Sequence, residues 1–275
     1  MSQTADVKTT RTRHSVFIGL ALVVTLAMLS GVRPTLSISS DTQRLYDFID
    51  SLPSGSVLLV SFDHEASSLP EIQPIALALL RHAFARGHRL IGMALLAEGT
   101  AIGYRQMEKV AAEYGRRYGE DFVYLGFKPQ YLAAILSMGE SIRATFPTDY
   151  LDHPLDSLPL MRNIDSYANV AAVISVADGS LTTHWMEYAG ARYHLTVLAG
   201  VTAAMITTYD PYLASGQMHA MVGGLRGAAQ YESLIGHAGG GARGMMAQTS
   251  AHFYVILLIV VGNVVYFTVR RRGER

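Results

Sequence analysis

Asp63-His64-Glu65 places two carboxylates and an imidazole on adjacent positions just after an apolar run. Such a set can ligate a divalent metal or work as an acid–base pair. Other polar groups follow other apolar runs: Glu98 and Thr100, then Lys128, then Asp178 and His184, and later Tyr209, Asp210 and Ser215. If those runs are parallel strands, these groups meet along one edge, where open α/β sheets bind ligands. Asp63, His64, Glu65, Glu98 and Asp210 therefore form the candidate set for a metal-assisted hydrolase or a small-ligand sensor. No stretch reads H-E-x-x-H, and Ser215 lacks the G-x-S-x-G elbow. Strand-end loops are polar in any α/β domain, so the first expectation is no catalytic site, no metal and no cofactor. Trp185, beside His184, reads as a packing anchor.

A second chemical signal is Gly-Gly-Gly-Ala-Arg-Gly at 239–244, which matches the letters of the G-x-G-x-x-G dinucleotide fingerprint. That fingerprint needs a strand before it and a helix opening on it. Here a helical pattern precedes it, an apolar segment follows, and no acid lies about twenty positions on. The expectation is a flexible joint between a domain and a membrane helix.

The stretch from Ser215 reads as a helix with small residues every four positions: Gly216, Ala220, Gly224 and Ala228, flanked by Gly223 and Gly227. A bare stripe of this kind lets another backbone approach. Several helical glycines, each costing about 1 kcal/mol against alanine, imply a compensating contact. That contact is either the helix's own domain or another subunit. Asn263, inside a long apolar segment, extends the candidate association surface, because a polar side chain there needs a partner across helices or on its own backbone.

The elements that must position these groups follow from patterning. Residues 15–32 and 253–269 are uncharged and apolar, each about long enough to cross a bilayer. The second can begin at 245. The first has no A-x-A site after it and is long for a signal-peptide core, so it reads as an uncleaved anchor. Lys8, Arg11 and Arg13 precede the first segment, and Arg270, Arg271, Arg272 and Arg275 follow the second. The positive-inside rule then puts both termini in the cytoplasm and the middle outside it. The expected organisation is a cytoplasmic tail at 1–14, a span at 15–32, an extracytoplasmic domain at 40–244, a span with its lead-in at 245–269 and a cytoplasmic tail at 270–275, with a linker over 33–40. The region near 40–250 holds 14 Lys/Arg against 20 Asp/Glu, a balance of −6 by subtraction. An acidic domain without a basic stripe argues against nucleic acid. The chain has no cysteine, which removes disulfides, thiolate metal sites and cysteine nucleophiles.

Within the domain a helix leads to Pro53-Ser54-Gly55, and strands are expected at 57–60, 90–96, 122–127, 170–176 and 194–199, with one more over 201–208. Helices are expected over 72–83, opened by a Ser68/Glu71 capping box, over 100–118, and from Tyr131 to near Gly139. Three successive strand–helix alternations imply parallel strands joined by crossover helices. The fold class is α/β, a Rossmann-like three-layer domain with a mostly parallel sheet, flanked by N- and C-terminal transmembrane helices. Prolines and aspartates at 140–169 mark an ordered excursion, a lid or a contact loop. The function expected first is a non-enzymatic, membrane-anchored assembly module. Its partners are the bilayer and either copies of itself or another membrane protein. The alternative is an extracytoplasmic hydrolase or ligand sensor using Asp63, His64 and Glu65.

Overall fold

The computed structural model describes residues 2–31 and 36–273, and side chains from Thr12 to Gly31 and from Leu36 to Arg270. Val32, the start of the expected linker at 33–35, and Arg275 lie outside the described residues, as do the side chains of Lys8, Arg11, Arg271 and Arg272. The chain forms two compact units. Leu36–Gly241 is one, and the terminal segments form the other.

The first unit is an α/β domain. Its order is α2 (Ser40–Ser51), β1 (Val57–Asp63), α3 (Leu69–Ala85), β2 (Arg89–Ala94), α4 (Ala97–Glu113), β3 (Phe122–Phe127), α5 (Tyr131–Glu140), α6 (Ile142–Thr145) and β4 (Ala172–Ala177). There follow α7 (Leu181–His184), a π-helical turn (Trp185–Gly190), α8 (Ala191–Tyr193), β5 (Val197–Val201), α9 (Ile206–Ala214), β6 (Ala220–Gly223) and α10 (Gly224–Leu234). Among the described residues six strands make one sheet, every pairing is parallel, and the order is β3-β2-β1-β4-β5-β6. β1, β4 and β5 are buried along their whole length, which is why they read as unbroken apolar runs.

Alternation along each strand splits the core in two. Val57 and Leu59 face one cluster, with Val173, Val197, Trp185 and Tyr209. Leu58, Val60 and Phe62 face the other, with Ile75 and Leu79 of α3, Met107 of α4 and Tyr231 of α10. The excursion at 140–169 belongs to the first cluster. Its Leu155, Leu160, Met161, Ile164 and Tyr167 are buried there. Asp149, also buried, holds the excursion's turn by accepting from Tyr118 Oη (2.7 Å), Leu151 N (2.9 Å) and His153 N (2.8 Å). This segment is a wall of the core.

Four expectations are corrected. Residues 201–208 are not a strand, because β5 ends at Val201 and Ala203 opens a 3-10 turn into α9. The helix expected over 100–118 begins at Ala97 and ends at Glu113. The Ser68/Glu71 capping box does not form: Ser68 Oγ donates to Glu65 O, and Glu71 Oε1 accepts from Ala203 N instead. The fourth concerns the stretch from Ser215, which is not one helix. Gly216 has φ +76°, Ala220–Gly223 is the edge strand β6, and Gly224 turns at φ +64° into α10. The row Gly216, Ala220, Gly224, Ala228 therefore shares no helix face. Gly216 is exposed and serves a turn, while Gly223, Gly224 and Gly227 serve the domain's own packing. A Cβ on Gly223 would meet Ile206, one on Gly224 would sit 3.0 Å from Ala203, and one on Gly227 would sit 3.0 Å from Val222.

Both ends of this domain are fastened to α10. Gln230 Nε2 donates to Ser37 O (2.6 Å), and its Oε1 accepts from Thr42 Oγ1 (3.2 Å). Glu232 Oε1 accepts from Gly241 N (2.8 Å). Gly236, at φ +65°, reverses the chain, and Gly241 comes to lie against Ala228 and Ala229.

The second unit consists of α1 (Ser2–Leu29) and nearly all of α11 (Gly240–Gly273). Both are long and apolar enough to cross a membrane, over Thr12–Leu29 and Gly240–Arg270. Half-buried positions on α1 recur at Val16, Gly19, Leu20, Val23, Val24 and Ala27, one helical stripe. Tyr254 of α11 packs against Gly19, and its hydroxyl donates to Val16 O (3.1 Å). Asn263 Nδ2 donates to its own helix at Ile259 O (2.9 Å).

Candidate functional site

The strand order reverses direction between β1 and β4, and at such a switch point the two following loops part and leave a crevice at the carboxyl ends. β1 delivers Asp63, His64 and Glu65 to this place, and β4 delivers Asp178. α4 adds Glu98 from its first turn.

Consecutive residues on extended chain point to alternate sides, and this divides the expected trio. Asp63 turns into the core. Its Oδ1 accepts from Leu95 N (2.8 Å) and its Oδ2 from Trp185 Nε1 (3.2 Å). Burial pushes its carboxyl up to about 6. The bonds from Leu95 and Trp185 pull the other way, and the charge of Asp178 adds a further upward push. His64 is buried too. Its Nδ1 lies 3.2 Å from the carbonyl of Glu65, which can only accept, so Nδ1 carries the proton. Nε2 is then a bare acceptor, buried and without a partner. Burial lowers the His64 pKa, against the Glu65 bond and the charge of Asp178. Glu65 is exposed. The three side chains thus do not converge, and among the described residues no three His, Cys, Asp or Glu are grouped to hold a metal ion.

Three backbone donors at this edge are taken by carboxylates. Asp178 Oδ2 accepts from Glu65 N (2.8 Å), Glu98 Oε2 from Ala66 N (3.0 Å), and Glu71 Oε1 from Ala203 N (2.7 Å). In a dinucleotide site, backbone amides of this kind and a helix N-terminus receive phosphate. Here carboxylates of the same chain occupy them, and their charge repels a second anion.

The remaining candidates disperse. Asp210 lies exposed on α9, and Ser215 caps the far end of that helix, because the expected strand there is helical. Tyr209 is buried and donates to Gly179 O (2.6 Å). Lys128 donates to Thr145 O and lies over the Phe146 ring. His184 stacks on Tyr131 at 4.7 Å. Thr100 Oγ1 is buried without a partner. Trp185, expected as a packing anchor, is one, and it also supplies a hydrogen bond to Asp63. The capping role of Glu71 on Ala203 had no signal in the sequence, since the two are joined only by the sheet.

The glycine run at 239–244 leads into α11 from the turn after α10, with no strand before it. Its glycines allow close approach. A Cβ on Gly239 would strike the Glu232 carboxylate, and one on Gly241 would sit 2.7 Å from Ala229 N. Gly239 and Gly241, within the α/β unit, are packed onto α10 where a flexible joint was expected. A cavity of ≈ 350 Å³, lined by Met186, His194, Gln217 and His219 among others, lies at the opposite, amino-terminal edge of β5 and β6. Comparison with protein-family models, curated proteins and solved structures finds no match to this chain.

Proposed function

We propose that the chain is a membrane-anchored scaffold. In this reading an extracytoplasmic, Rossmann-like domain is held by one helix at each end, has both termini in the cytoplasm, self-associates and performs no chemistry of its own. The observation that carries it is the capping of carboxyl-edge amides by carboxylates, Glu65 N by Asp178 and Ala66 N by Glu98 at the switch point and Ala203 N by Glu71 after β5. At these three amides the protein's own carboxylates stand where a phosphate would have to bind. The fastening of Ser37 and Gly241 to α10 adds support, because it ties both ends of the domain to one helix. The acidic domain between basic flanks supports the orientation.

The small-residue row is split between a turn, β6 and α10, with Ala220, Gly224 and Ala228 used inside the domain, so the association contact is assigned to the membrane helices. A Cβ on Gly262 of α11 would meet nothing within 4 Å, and Asn263 adjoins it. An open glycine on an apolar helix is where a second helix can approach closely.

The test is native mass spectrometry of the full-length protein in mild detergent, with Gly262→Leu as the variant. The expected result is a discrete homo-oligomer that the variant reduces to monomer. A monomeric parent overturns the reading. If that monomer carries a stoichiometric small molecule, the alternative is favoured, a ligand sensor at Asp63 and His64. The observation behind that alternative is Asp63 itself, a buried carboxyl at the switch point that burial pushes up to about 6.

A further inference from the structure

Among the described residues of the α/β unit, six large apolar side chains stand out as exposed, and five of them gather at one place. Phe127 ends β3, Tyr131 and Leu132 open α5 four residues later, and Tyr150 and Leu151 come from the excursion. Each is 36–41% exposed. The Tyr150 N–H donates to Tyr124 O (2.8 Å) and its ring lies against Gly126, which fixes this turn beside the end of β3. Tyr131 is anchored by its stack on His184. All five thus sit at the carboxyl edge of the sheet.

The domain's C-terminal exit turns toward the same edge. α10 starts at the carboxyl edge, where Gly224 lies near Ala203 and Glu71, and runs back along the sheet. The chain reverses at Gly236 and climbs again, so that Gly240 lies near Pro74 in the second turn of α3 and Gly241 beside Ala228. From there it continues into α11, which is long and apolar enough to span a membrane. The exposed rim is rich in tyrosine, and Tyr104 lies beside Tyr150 (5.0 Å). Tyrosine suits a layer that is apolar on one side and wet on the other, and aromatic belts at membrane interfaces use it so.

We propose that the rim of Phe127, Tyr131, Leu132, Tyr150 and Leu151 docks into the headgroup layer of the bilayer that anchors the chain, setting the domain's tilt. This rests on the membrane reading given above. The attraction is apolar, because Lys128 is the cation in this rim and it is turned to Thr145 O.

The chain has no cysteine, so a single introduced cysteine carries a single label. Leu132→Cys and Leu151→Cys report the rim, Ser54→Cys the amino-terminal edge, and Val260→Cys the centre of the α11 apolar segment. Each full-length variant is labelled with an environment-sensitive fluorophore and placed in phosphatidylcholine vesicles containing a nitroxide lipid, shallow for the Leu132, Leu151 and Ser54 labels and deep in the acyl chain for the Val260 label. The expected result is strong lipid quenching at Leu132, Leu151 and Val260, with Ser54 unquenched. Quenching at Val260 alone overturns the rim proposal and leaves the membrane reading standing. No quenching at Val260 removes the membrane reading and the proposal with it. Rim labels shielded from aqueous iodide but untouched by the lipid nitroxide would mean that protein covers the rim, which also overturns the proposal.

Discussion

On one face of the sheet the buried titratable hub is an acid, Asp63; on the other it is a base, His82 of α3. Asp63 receives N–H groups from Leu95 and Trp185. His82 stacks on Tyr46 (4.5 Å), meets the Tyr231 hydroxyl at 2.7 Å and lies 3.5 Å from Asp50 Oδ1. In both places burial outweighs every partner. It raises Asp63 to about 6 although both of those bonds favour the charged form, and it lowers His82 to about 4 although Asp50 pulls it up. Each face therefore favours its hub neutral, and the two answer pH in opposite senses. Asp63 binds its proton more tightly folded than unfolded, so its contribution is full below pH 3.8 and is lost as pH rises through about 6. His82 binds its proton less tightly when folded. Its contribution is full above pH 6.5 and is lost as pH falls toward about 4.

The largest way to break this symmetry is to remove the indole. Trp185 is fully buried and donates to Asp63. Trp185→Ala should cost about 3–5 kcal/mol from the cavity alone, and it leaves one carboxylate oxygen without its donor. Thermal unfolding at pH 7 should show the midpoint falling further than for any substitution confined to the His82 hub. A loss within about 1 kcal/mol, no more than one hydrogen bond is worth, would mean that Trp185 is not the keystone of its face.

Asp63→Asn sharpens the comparison. It removes the titration while keeping one acceptor oxygen. Relative to the parent, the variant should gain stability as pH rises from 4 to 8. A shift from 3.8 to about 6 corresponds to a relative gain of about 3 kcal/mol at about 1.4 kcal/mol per pH unit. Denaturant titrations at both ends of the range measure it. A pH-independent difference would show that Asp63 titrates normally when folded. His82→Gln should act in the reverse sense, removing the loss that the parent suffers between pH 6.5 and about 4. With both substitutions, the opposing slopes that these two hubs contribute should vanish together.

How far the sequence disclosed this arrangement differs from place to place, for physical reasons. β1 to β4 were legible because strands buried on both faces leave uninterrupted apolar runs such as Val57-Leu58-Leu59-Val60. β6 was hidden because Ala220-Met221-Val222-Gly223 is only four residues long and its flanking glycines happen to fall at helical spacing. Two of those glycines, Gly216 and Gly224, are there for positive φ, which spacing alone does not reveal. The switch-point acids were legible as types and positions, and Asp63, His64, Glu65, Glu98 and Asp178 do share the carboxyl edge. Their orientations were not legible. Whether Asp63 faces solvent or Trp185 depends on a residue 122 positions away. Glu71 looked like half of a capping box, and only the adjacency of α3 to the β5 loop shows that it serves Ala203 instead.

The smallest effect tests the base side at its finest point. The carboxylate of Asp50 can only accept, so His82 Nε2 is the protonated nitrogen and Nδ1 the acceptor of the Tyr231 hydroxyl. A donor to Nδ1 stabilises the neutral ring and so adds to the depression that burial imposes. Tyr231→Phe deletes that donor with little change of volume, and should cost about 1 kcal/mol. The more telling readout is the His82 titration itself, followed by NMR of ring-labelled histidine in the full-length protein. It should move up from about 4 toward the ordinary histidine value of 6.5. A downward move would reverse the tautomer, making the tyrosine the acceptor. The imidazole would then donate through Nδ1, and Asp50 would hold His82 only through its charge.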